Sequence, residues 1–268
     1  MFRNISIIGI GNLSQTLIYC IKNKSLKFNI NLYDIDKKKK VFASKKEWSF
    51  NTKINKKLAE SDLVILAVKP RQYKDACSKI NMYAKNKVVI VSLMAGINIK
   101  DLEKEFSDKL SIARVMTNIN AKYSSAISSI YIDKQFKKDK IVSLKKFFSL
   151  FGSIRILKSE SQINKVTALI GSGPAYFIYF AESMVKTFQS FGFTKYESEL
   201  LVCELFYGTA KTCITDKRSL NEIKKSVVSK GGTTEAALKK FDKLKTKKIV
   251  MESIREAFIR AEDLEKGK

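Results

Sequence analysis

Short glycine-containing segments carry the residues of this sequence that could do chemistry. Gly9-Ile10-Gly11 follows an apolar run, and Gly171-Ser172-Gly173-Pro174-Ala175-Tyr176 opens a helical pattern. Ser229-Lys230-Gly231-Gly232-Thr233-Thr234 joins glycines to threonine hydroxyls. Glycine lets the main chain approach a ligand closely, and successive N–H groups can hold an anion. The segments therefore predict a site in which main-chain amides and hydroxyls bind a small anionic molecule.

Histidine is absent from the sequence. Its absence excludes Ser-His-Asp and Cys-His hydrolysis, histidine-ligated zinc and the histidine general base of many hydroxyacid dehydrogenases. The cysteines show no Cys-x-x-Cys spacing, and we interpret each as a buried, reduced thiol of a cytoplasmic protein: Cys20, Cys77, Cys203 and Cys213. We predict no metal site.

Strand and helix patterns alternate through the first part of the chain. Apolar runs predict strands at 4–9, 28–34, 62–68, 88–93, 112–116, 126–132 and 153–157, with helices near 37–46, 71–84, 99–107 and 135–150. From about residue 160 the patterns are helical, near 161–170, 173–191, 195–215, 218–228 and 245–266. We therefore predict an α/β fold: an N-terminal Rossmann-like doubly wound sheet over 1–159, then an all-α domain over 160–268.

The first glycine turn has the surroundings of a nucleotide site. It lies between a strand and an amphipathic helix, where a pyrophosphate would meet the main chain of Gly9, Ile10, Gly11, Asn12 and Leu13. Ser14 takes the third glycine position of the fingerprint. Asp34 ends the second strand, where an acid can bond both ribose hydroxyls of NAD, whereas the adjacent Lys37–Lys40 could receive the 2′-phosphate of NADP. The choice between the cofactors stays open.

The glycine segments belong to an ordered series of motifs that covers nearly all of the chain. Between them lie Ala67-Val68-Lys69-Pro70, Ala95-Gly96 and Arg114-Val115-Met116-Thr117-Asn118-Ile119-Asn120. In type and order, the series resembles the pyrroline-5-carboxylate reductase family. The resemblance implies an oxidoreductase that reduces 1-pyrroline-5-carboxylate to L-proline, the last step of proline biosynthesis, with NADPH or NADH. Reducing a cyclic imine needs a bound hydride donor and a hydrogen bond at the ring nitrogen, but no histidine base.

The resemblance also implies roles for individual residues. Thr234 is the hydroxyl near the ring nitrogen and hence the catalytic residue. Segments that follow strand ends line the cofactor: Ala67, Val68, Lys69 and Pro70, then Met94, Ala95 and Gly96. The substrate-binding residues are Ala95, Ser226, Ser229, Gly231, Gly232, Thr233 and Thr234, with the Gly231 and Gly232 amides, Thr233 and Ser226 around its carboxylate.

Departures from the family pattern leave a second interpretation open. Thr117, Asn120 and Lys230 stand where the family has prolines, and the loss of fixed φ angles predicts a looser loop at 114–120. The alternative is therefore a divergent paralogue with an altered substrate or no turnover. Another Rossmann dehydrogenase, acting on hydroxyacids or ketones, is disfavoured because segments 171–176 and 231–234 together resemble the pyrroline reductases.

The formal charge of +25 raises the question of a nucleic-acid partner. Most of the basic residues are lysines. Arginine, by contrast, is the residue that hydrogen-bonds the edge of guanine and binds a phosphate through two N–H groups at once. We therefore predict no nucleic-acid partner and attribute the charge to composition. Binding that collapses steeply with salt would indicate the opposite.

Membrane association is not expected either. The most apolar longer stretch, 166–181, contains glycines and a proline and falls short of the roughly 20 residues that span a bilayer. We predict a cytoplasmic protein that binds a small-molecule substrate. The family resemblance implies an interlocked homodimer, whose active sites combine the first domain of one chain with helices of the other, and in some members a larger ring-like homo-oligomer.

Overall fold

The computed structural model describes residues 2–24, 27–85, 88–106, 110–132 and 136–267. The chain forms two compact units, one of residues 1–174 together with 257–268 and one of residues 175–256. The boundary between 159 and 160, which rests on a change of periodicity, stays a prediction. The last residues of the chain thus fold with the N-terminal unit.

The first unit is built on one sheet of eight strands. The strand order is β3-β2-β1-β4-β5-β6-β7-β8, and neighbours are parallel except for β6 and β7. This is the doubly wound order, continued by two further strands, so the predicted α/β fold is confirmed. The strands are β1 Asn4–Ile8, β2 Asn29–Tyr33, β3 Trp48–Asn51, β4 Leu63–Leu66, β5 Val89–Ser92, β6 Ser111–Met116, β7 Ala126–Ile132 and β8 Gly152–Ile156.

Both faces of this sheet are covered by apolar side chains. Ile7, Ile65 and Val91 enter one buried cluster. Their neighbours Ile8 and Leu66 enter the other, on the opposite face. Alternate residues of a strand point to opposite faces, so a strand buried on both sides must be apolar throughout. This explains the continuous apolar runs that predicted β1, β4 and β5.

Helices complete the first unit and form the second. The first unit contains α1 Asn12–Lys22, α2 Tyr73–Asn81, α3 Ile99–Glu105, α4 Lys138–Phe148 and α5 Gln162–Val166, the last followed by a π turn at Thr167–Gly171. The 3₁₀ helices are Lys37–Phe42, Lys56–Glu60, Pro70–Gln72, Ile119–Tyr123 and Ser149–Phe151. The remaining helices are α6 Gly173–Ser190, α7 Lys195–Thr215, α8 Leu220–Ser226, α9 Thr233–Lys243 and α10 Thr246–Glu265.

The region after β2 differs in secondary structure from the prediction made from the sequence. The α-helix predicted near 37–46 is a short 3₁₀ helix, Lys37–Phe42, followed by the edge strand β3. Four consecutive lysines, Lys37–Lys40, point to different sides of a helix, and the segment Lys37–Phe42 contains no buried residue, so no apolar face stabilises a longer α-helix here. The strand β3 is four residues long and only partly buried, so it lacks the apolar run of the central strands.

Two of the cysteines also differ from their predicted state. All four are free, and Cys20 and Cys77 are buried as expected. Burial raises the pKa of the Cys77 thiol to about 12, which keeps it protonated at neutral pH. Cys203, on α7, is exposed and Cys213 is half-buried, so the expectation of burial was wrong for them. Both lie in the helical unit, which has few interior positions.

The second unit has almost no core of its own. In residues 175–256, all of which the structure describes, the buried positions are Ser198, Val202 and Ile223. Large apolar side chains of α6 lie exposed, including Phe177 at 68% and Ile178 at 52%. Capping boxes, Thr194 with Glu197 and Ser219 with Glu222, define the starts of α7 and α8. Among the helices of the described residues, none combines the length and the apolar character needed to cross a membrane.

Candidate active site

The turn after β1 requires glycine at its first position. Gly9 has a φ of +90°, and a Cβ added there would lie 2.7 Å from the carbonyl oxygen of Ala67. The Gly9 N–H donates to the Tyr33 carbonyl oxygen at 2.8 Å, and the Ala67 N–H donates to that of Ile8 at 2.9 Å. The carboxyl ends of β1, β2 and β4 therefore converge on this turn. The predicted cofactor residues Gly9, Ala67 and Val68 are brought into contact.

Helix α1 begins directly after the turn with an open N-terminus. Its N-cap is Gly11, which provides no side-chain cap, and no acidic residue lies in the first turn. A Cβ on Gly11 would meet no atom within 4 Å, so space remains beside the first amides. Ser14 is fully buried and donates from its hydroxyl to the Gly9 carbonyl oxygen at 2.7 Å. The uncapped N–H groups of Asn12 and Leu13 can hold a phosphate there.

The structure gives Asp34 a role that the sequence pattern did not reveal. Its Oδ2 accepts a hydrogen bond from the Ile10 N–H at 2.7 Å, and its Oδ1 accepts one from the Asp36 N–H at 2.9 Å. The carboxylate thus fixes the glycine turn to the end of β2. Its predicted pairing with ribose hydroxyls stays a prediction, but the side chain that would make it is held in one orientation.

The segments after β4 and β5 lie next to each other at the carboxyl ends of these strands. Lys69 and Pro70 are exposed, and Pro70 starts a 3₁₀ helix that carries the chain away from β4. Leu93, the first residue after β5, donates its N–H to the Leu66 carbonyl oxygen at 2.9 Å. Gly96 has a φ of +75°, and a Cβ there would lie 2.8 Å from the carbonyl oxygen of Leu264. This loop is therefore packed against the end of α10.

These residues fit a dinucleotide. The glycine cradle and the uncapped helix suit a pyrophosphate, and both lie where the strand order reverses, between β1 and β4. Ligands of doubly wound sheets bind outside the carboxyl ends of the strands at such a point. Asp34, Ala67–Pro70 and Met94–Gly96 all follow carboxyl ends of strands on this side of the sheet, the position that the sequence predicted.

The loop after β6 is held by polar side chains where prolines were expected. The Ser128 hydroxyl lies 3.1 Å from that of Thr117, and both side chains are buried. The Asn118 amide donates to the Ile170 carbonyl oxygen at 3.0 Å, and its Oδ1 accepts the Asn120 N–H at 3.1 Å. These bonds offset part of the freedom that the missing prolines would leave. Greater mobility of the loop stays a prediction.

The hydroxyl-bearing loop of the second unit uses its glycine amides internally. The Gly231 N–H donates to the Glu235 carboxylate at 2.7 Å, and the Gly232 N–H donates to the Ser229 carbonyl oxygen at 3.0 Å. Both amides thus have partners within the loop, and their predicted role at the substrate carboxylate stays a prediction. The Ser226 hydroxyl likewise donates within its own helix, to the Ile223 carbonyl oxygen at 2.7 Å.

The start of α9 leaves other groups available. The helix begins at Thr233, and its N-cap, Gly232, provides no side-chain hydrogen bond. In the described parts of the chain, the N–H groups of Thr233 and Thr234 and the Thr234 hydroxyl have no hydrogen-bond partner. Thr234 is half-buried and does not cap the helix. The hydrogen bond from Gly231, with the hydrogen bond and charge of Lys239, holds the pKa of the Glu235 carboxyl below its ordinary value.

Comparison with known proteins places these features in one family. A pyrroline-5-carboxylate reductase of Vibrio alginolyticus is 31% identical over 208 residues, covering 77% of this chain and 76% of that protein. One of Staphylococcus aureus is 31% identical and covers 86% of each. The chain belongs to the pyrroline-5-carboxylate reductase family. The family model described as pyrroline-5-carboxylate reductase dimerisation matches residues 160–264, and that described as NADP oxidoreductase, coenzyme F420-dependent, matches residues 4–96.

Solved structures of pyrroline-5-carboxylate reductases have the same fold. The enzyme of Coxiella burnetii is 27% identical, with a TM-score of 0.86 and coverage of 98% of both chains. That of Plasmodium falciparum, solved with NADP bound, has a TM-score of 0.89 at 21% identity, which shows the fold alone. The similarity covers 98% of the chain, so both the sheet and the helical region belong to the family fold.

Long-range contacts are the site features that sequence reasoning missed. The bond between Asp34 and Ile10 spans 24 residues, and that between Arg114 and Glu265 spans 151. No periodicity marks either partner. Glu235 did carry a local signal, because an acid at the third position of a helix commonly reaches back to the preceding amides.

Proposed function

We infer that this chain is an NAD(P)H-dependent pyrroline-5-carboxylate reductase, an oxidoreductase that reduces 1-pyrroline-5-carboxylate to L-proline in proline biosynthesis. The observation that carries the inference is family membership over both units. The relative from Bacillus subtilis, named pyrroline-5-carboxylate reductase 2, is 25% identical over 98% of this chain. The nucleotide turn and the hydroxyl loop therefore belong to one family pattern.

The cofactor residues bind and orient a dinucleotide. The reduced nicotinamide supplies the hydride. Gly9, Gly11 and the first amides of α1 hold the pyrophosphate, while Asp34 keeps the turn in place. The segments 67–70 and 94–96 lie at the carboxyl ends of β4 and β5, on the other side of the switch point from Asp34, and would hold the nicotinamide half of the cofactor.

The substrate residues hold a cyclic imine that carries a carboxylate, and they donate a hydrogen bond to the ring nitrogen. The Thr234 hydroxyl donates a hydrogen bond to the ring nitrogen, and the Thr233 and Thr234 N–H groups bind the carboxylate at the start of α9. Ser226, Ser229, Gly231 and Gly232 shape the loop around them. Lys230 is exposed beside this loop and adds positive charge. Most of the rate comes from positioning the two reactants.

Assembly and location complete the proposal. The dimerisation-family match and the exposed apolar face of α6 support a homo-oligomer. We propose a homodimer, with a ring of dimers as a larger form, in the cytoplasm.

The test is a spectrophotometric assay of the purified chain. We expect NADPH or NADH to be oxidised when 1-pyrroline-5-carboxylate is added, with L-proline formed in equal amount. A folded protein that binds the cofactor but does not turn over this substrate would instead support the divergent paralogue, which the replacements at Thr117, Asn120 and Lys230 bring into question.

A further inference from the structure

We propose that Arg114 is a positioning residue for the loop between β5 and α3, residues 93–98, which we call the β5–α3 loop. Through Glu160 and Glu265, Arg114 holds the end of this loop at α3 and supports its middle at Gly96. The proposal rests on the proposed function, because it matters only if the nicotinamide lies against the loop.

Arg114 is a buried cation held by carboxylates from distant parts of the chain. Its side chain is 1% exposed, and its Nη1 donates to Glu160 Oε1 at 2.8 Å and to Glu265 Oε1 at 3.1 Å. Asn164 donates from its amide to Glu265 Oε2 at 2.5 Å. A buried charge is tolerated only when it is paired, so the carboxylates must stay where they are. The final turn of α10 is thereby tied to the centre of β6.

Glu160 and Leu264, the residue before Glu265, both contact the β5–α3 loop or its end. Glu160 Oε1 also accepts the Ile99 N–H at 2.7 Å, at the residue where α3 begins. Leu264, which precedes Glu265, has its carbonyl oxygen 2.8 Å from the position of a Cβ on Gly96. One end of the loop is therefore bonded to Glu160, and its middle rests on the turn that carries Glu265. Both carboxylates meet on one nitrogen of Arg114.

The β5–α3 loop leaves the carboxyl end of a strand beside the nucleotide site. The strand order places β5 next to β4 and one strand further from the glycine turn than β4. With a pyrophosphate at the turn, residues after β4 and β5 would hold the nicotinamide half. A small displacement of the loop would change the distance over which hydride is transferred, and the rate is sensitive to such shifts.

The test uses shape-conserving variants, Glu265→Gln and Glu160→Gln, which remove one charge each and keep an acceptor atom. The matched control is Glu262→Gln, one turn earlier on α10, since Glu262 makes no ion pair in the described part of the chain. Three quantities are measured on the intact protein: affinity for the reduced cofactor by fluorescence titration, affinity for ADP by calorimetry, and kcat and KM. ADP contains the pyrophosphate but lacks the nicotinamide.

For Glu265→Gln and Glu160→Gln we expect weaker binding of the reduced cofactor, unchanged binding of ADP, and a kcat lower by roughly tenfold or more. Glu262→Gln should match the wild type. A lower melting temperature with unchanged kcat and cofactor affinity would show that the cluster only stabilises the fold. An equal loss of ADP and reduced-cofactor affinity would also overturn the proposal, since it would indicate general damage to the site.

The comparison of ADP with the reduced cofactor needs no substrate. If the wild type failed to reduce 1-pyrroline-5-carboxylate, the proposed function would be wrong, yet the binding comparison would still test the role of the cluster. Arg114→Lys is a further variant, because lysine keeps the charge but its shorter side chain need not place the ammonium where the Nη1 atom of Arg114 lies. We expect it to weaken binding of the reduced cofactor more than binding of ADP.

Discussion

Asp34 holds the glycine turn in place, and we expect its carboxylate to influence the choice of cofactor as well. It accepts the Ile10 and Asp36 amides, so it cannot turn aside without releasing the phosphate-binding turn. We expect the negative charge held at this position to oppose a 2′-phosphate and favour NADH, and the neighbouring Lys37–Lys40 to act in the opposite sense.

We therefore predict that Asp34→Ser raises the ratio of kcat/KM for NADPH to that for NADH, while affinity for both falls because the turn is loosened. Steady-state kinetics with each cofactor measure the ratio. The control is Asp36→Ser, whose carboxylate accepts the Lys38 N–H and does not touch the turn. A wild type that already prefers NADPH, with an unchanged ratio in Asp34→Ser, would contradict this role.

The Thr234 hydroxyl is available for catalysis because it has no hydrogen-bond partner in the described residues. The helix α9 begins at Thr233, one residue earlier, and its cap is a glycine. If Thr234 capped the helix, alanine would cost about 1 kcal/mol of stability and leave turnover intact. Because the Thr234 hydroxyl does not cap the helix, we expect alanine to lower turnover rather than stability.

We predict that Thr234→Ala lowers kcat/KM for 1-pyrroline-5-carboxylate by roughly 10², because a polar contact at the ring nitrogen is lost. Cofactor affinity should barely change, and Thr234→Ser should recover most of the activity. Melting temperature and kinetics are measured on the same variants. A lower melting temperature with intact kcat/KM would reject the catalytic role.

At the scale of elements, the loop before α9 depends on the Glu235 carboxylate. It accepts the Gly231 N–H and pairs with Lys239 at 3.1 Å. These contacts lower the pKa of Glu235, so they favour the ordered loop above the ordinary pKa of a glutamate and are lost as the pH falls through the lowered value. The loop should therefore be ordered at neutral pH and loosen only in acid.

Glu235→Gln tests this dependence. We expect kcat/KM for the imine to fall by roughly threefold to tenfold at neutral pH, since a neutral acceptor holds the Gly231 amide less tightly. Cofactor affinity should be unchanged. The acid limb of the pH profile should be less steep in the variant than in the wild type. Identical profiles would show that the carboxylate does not order the loop.

The elements that the sequence predicted well are those with a local physical signature. The central strands β1, β4 and β5 are mostly apolar because both faces of the sheet are covered, and α7 and α8 begin at capping boxes. The edge strand β3 was missed because it is short and only partly buried. The Asp34 and Arg114 contacts join residues far apart in sequence, so only the folded chain shows them.

At the scale of the whole molecule, the second unit requires a partner surface that covers its exposed apolar side chains. Its helices expose large apolar side chains, such as Phe177 and Ile178 of α6, and enclose few buried residues. A monomer with this much exposed apolar surface would be prone to association. The family match to a dimerisation domain agrees with that reasoning.

We predict that Phe177→Glu weakens assembly, because a charge would replace an apolar side chain in the covered face. Light scattering measures the mass in solution, and Lys186→Glu, an exposed position on the same helix, is the control. Activity should fall together with the oligomeric fraction. An active wild-type monomer would contradict the account of the second unit.

The most direct test of the central claim is to follow the hydride itself. The purified chain is incubated with 1-pyrroline-5-carboxylate and a reduced nicotinamide cofactor that carries deuterium at the transferred position. Mass spectrometry then determines whether the product is L-proline and whether it contains the deuterium. We predict proline with one deuterium on the ring carbon that formed the imine. Absence of proline, or proline without deuterium, would contradict the assignment of this chain as a pyrroline-5-carboxylate reductase.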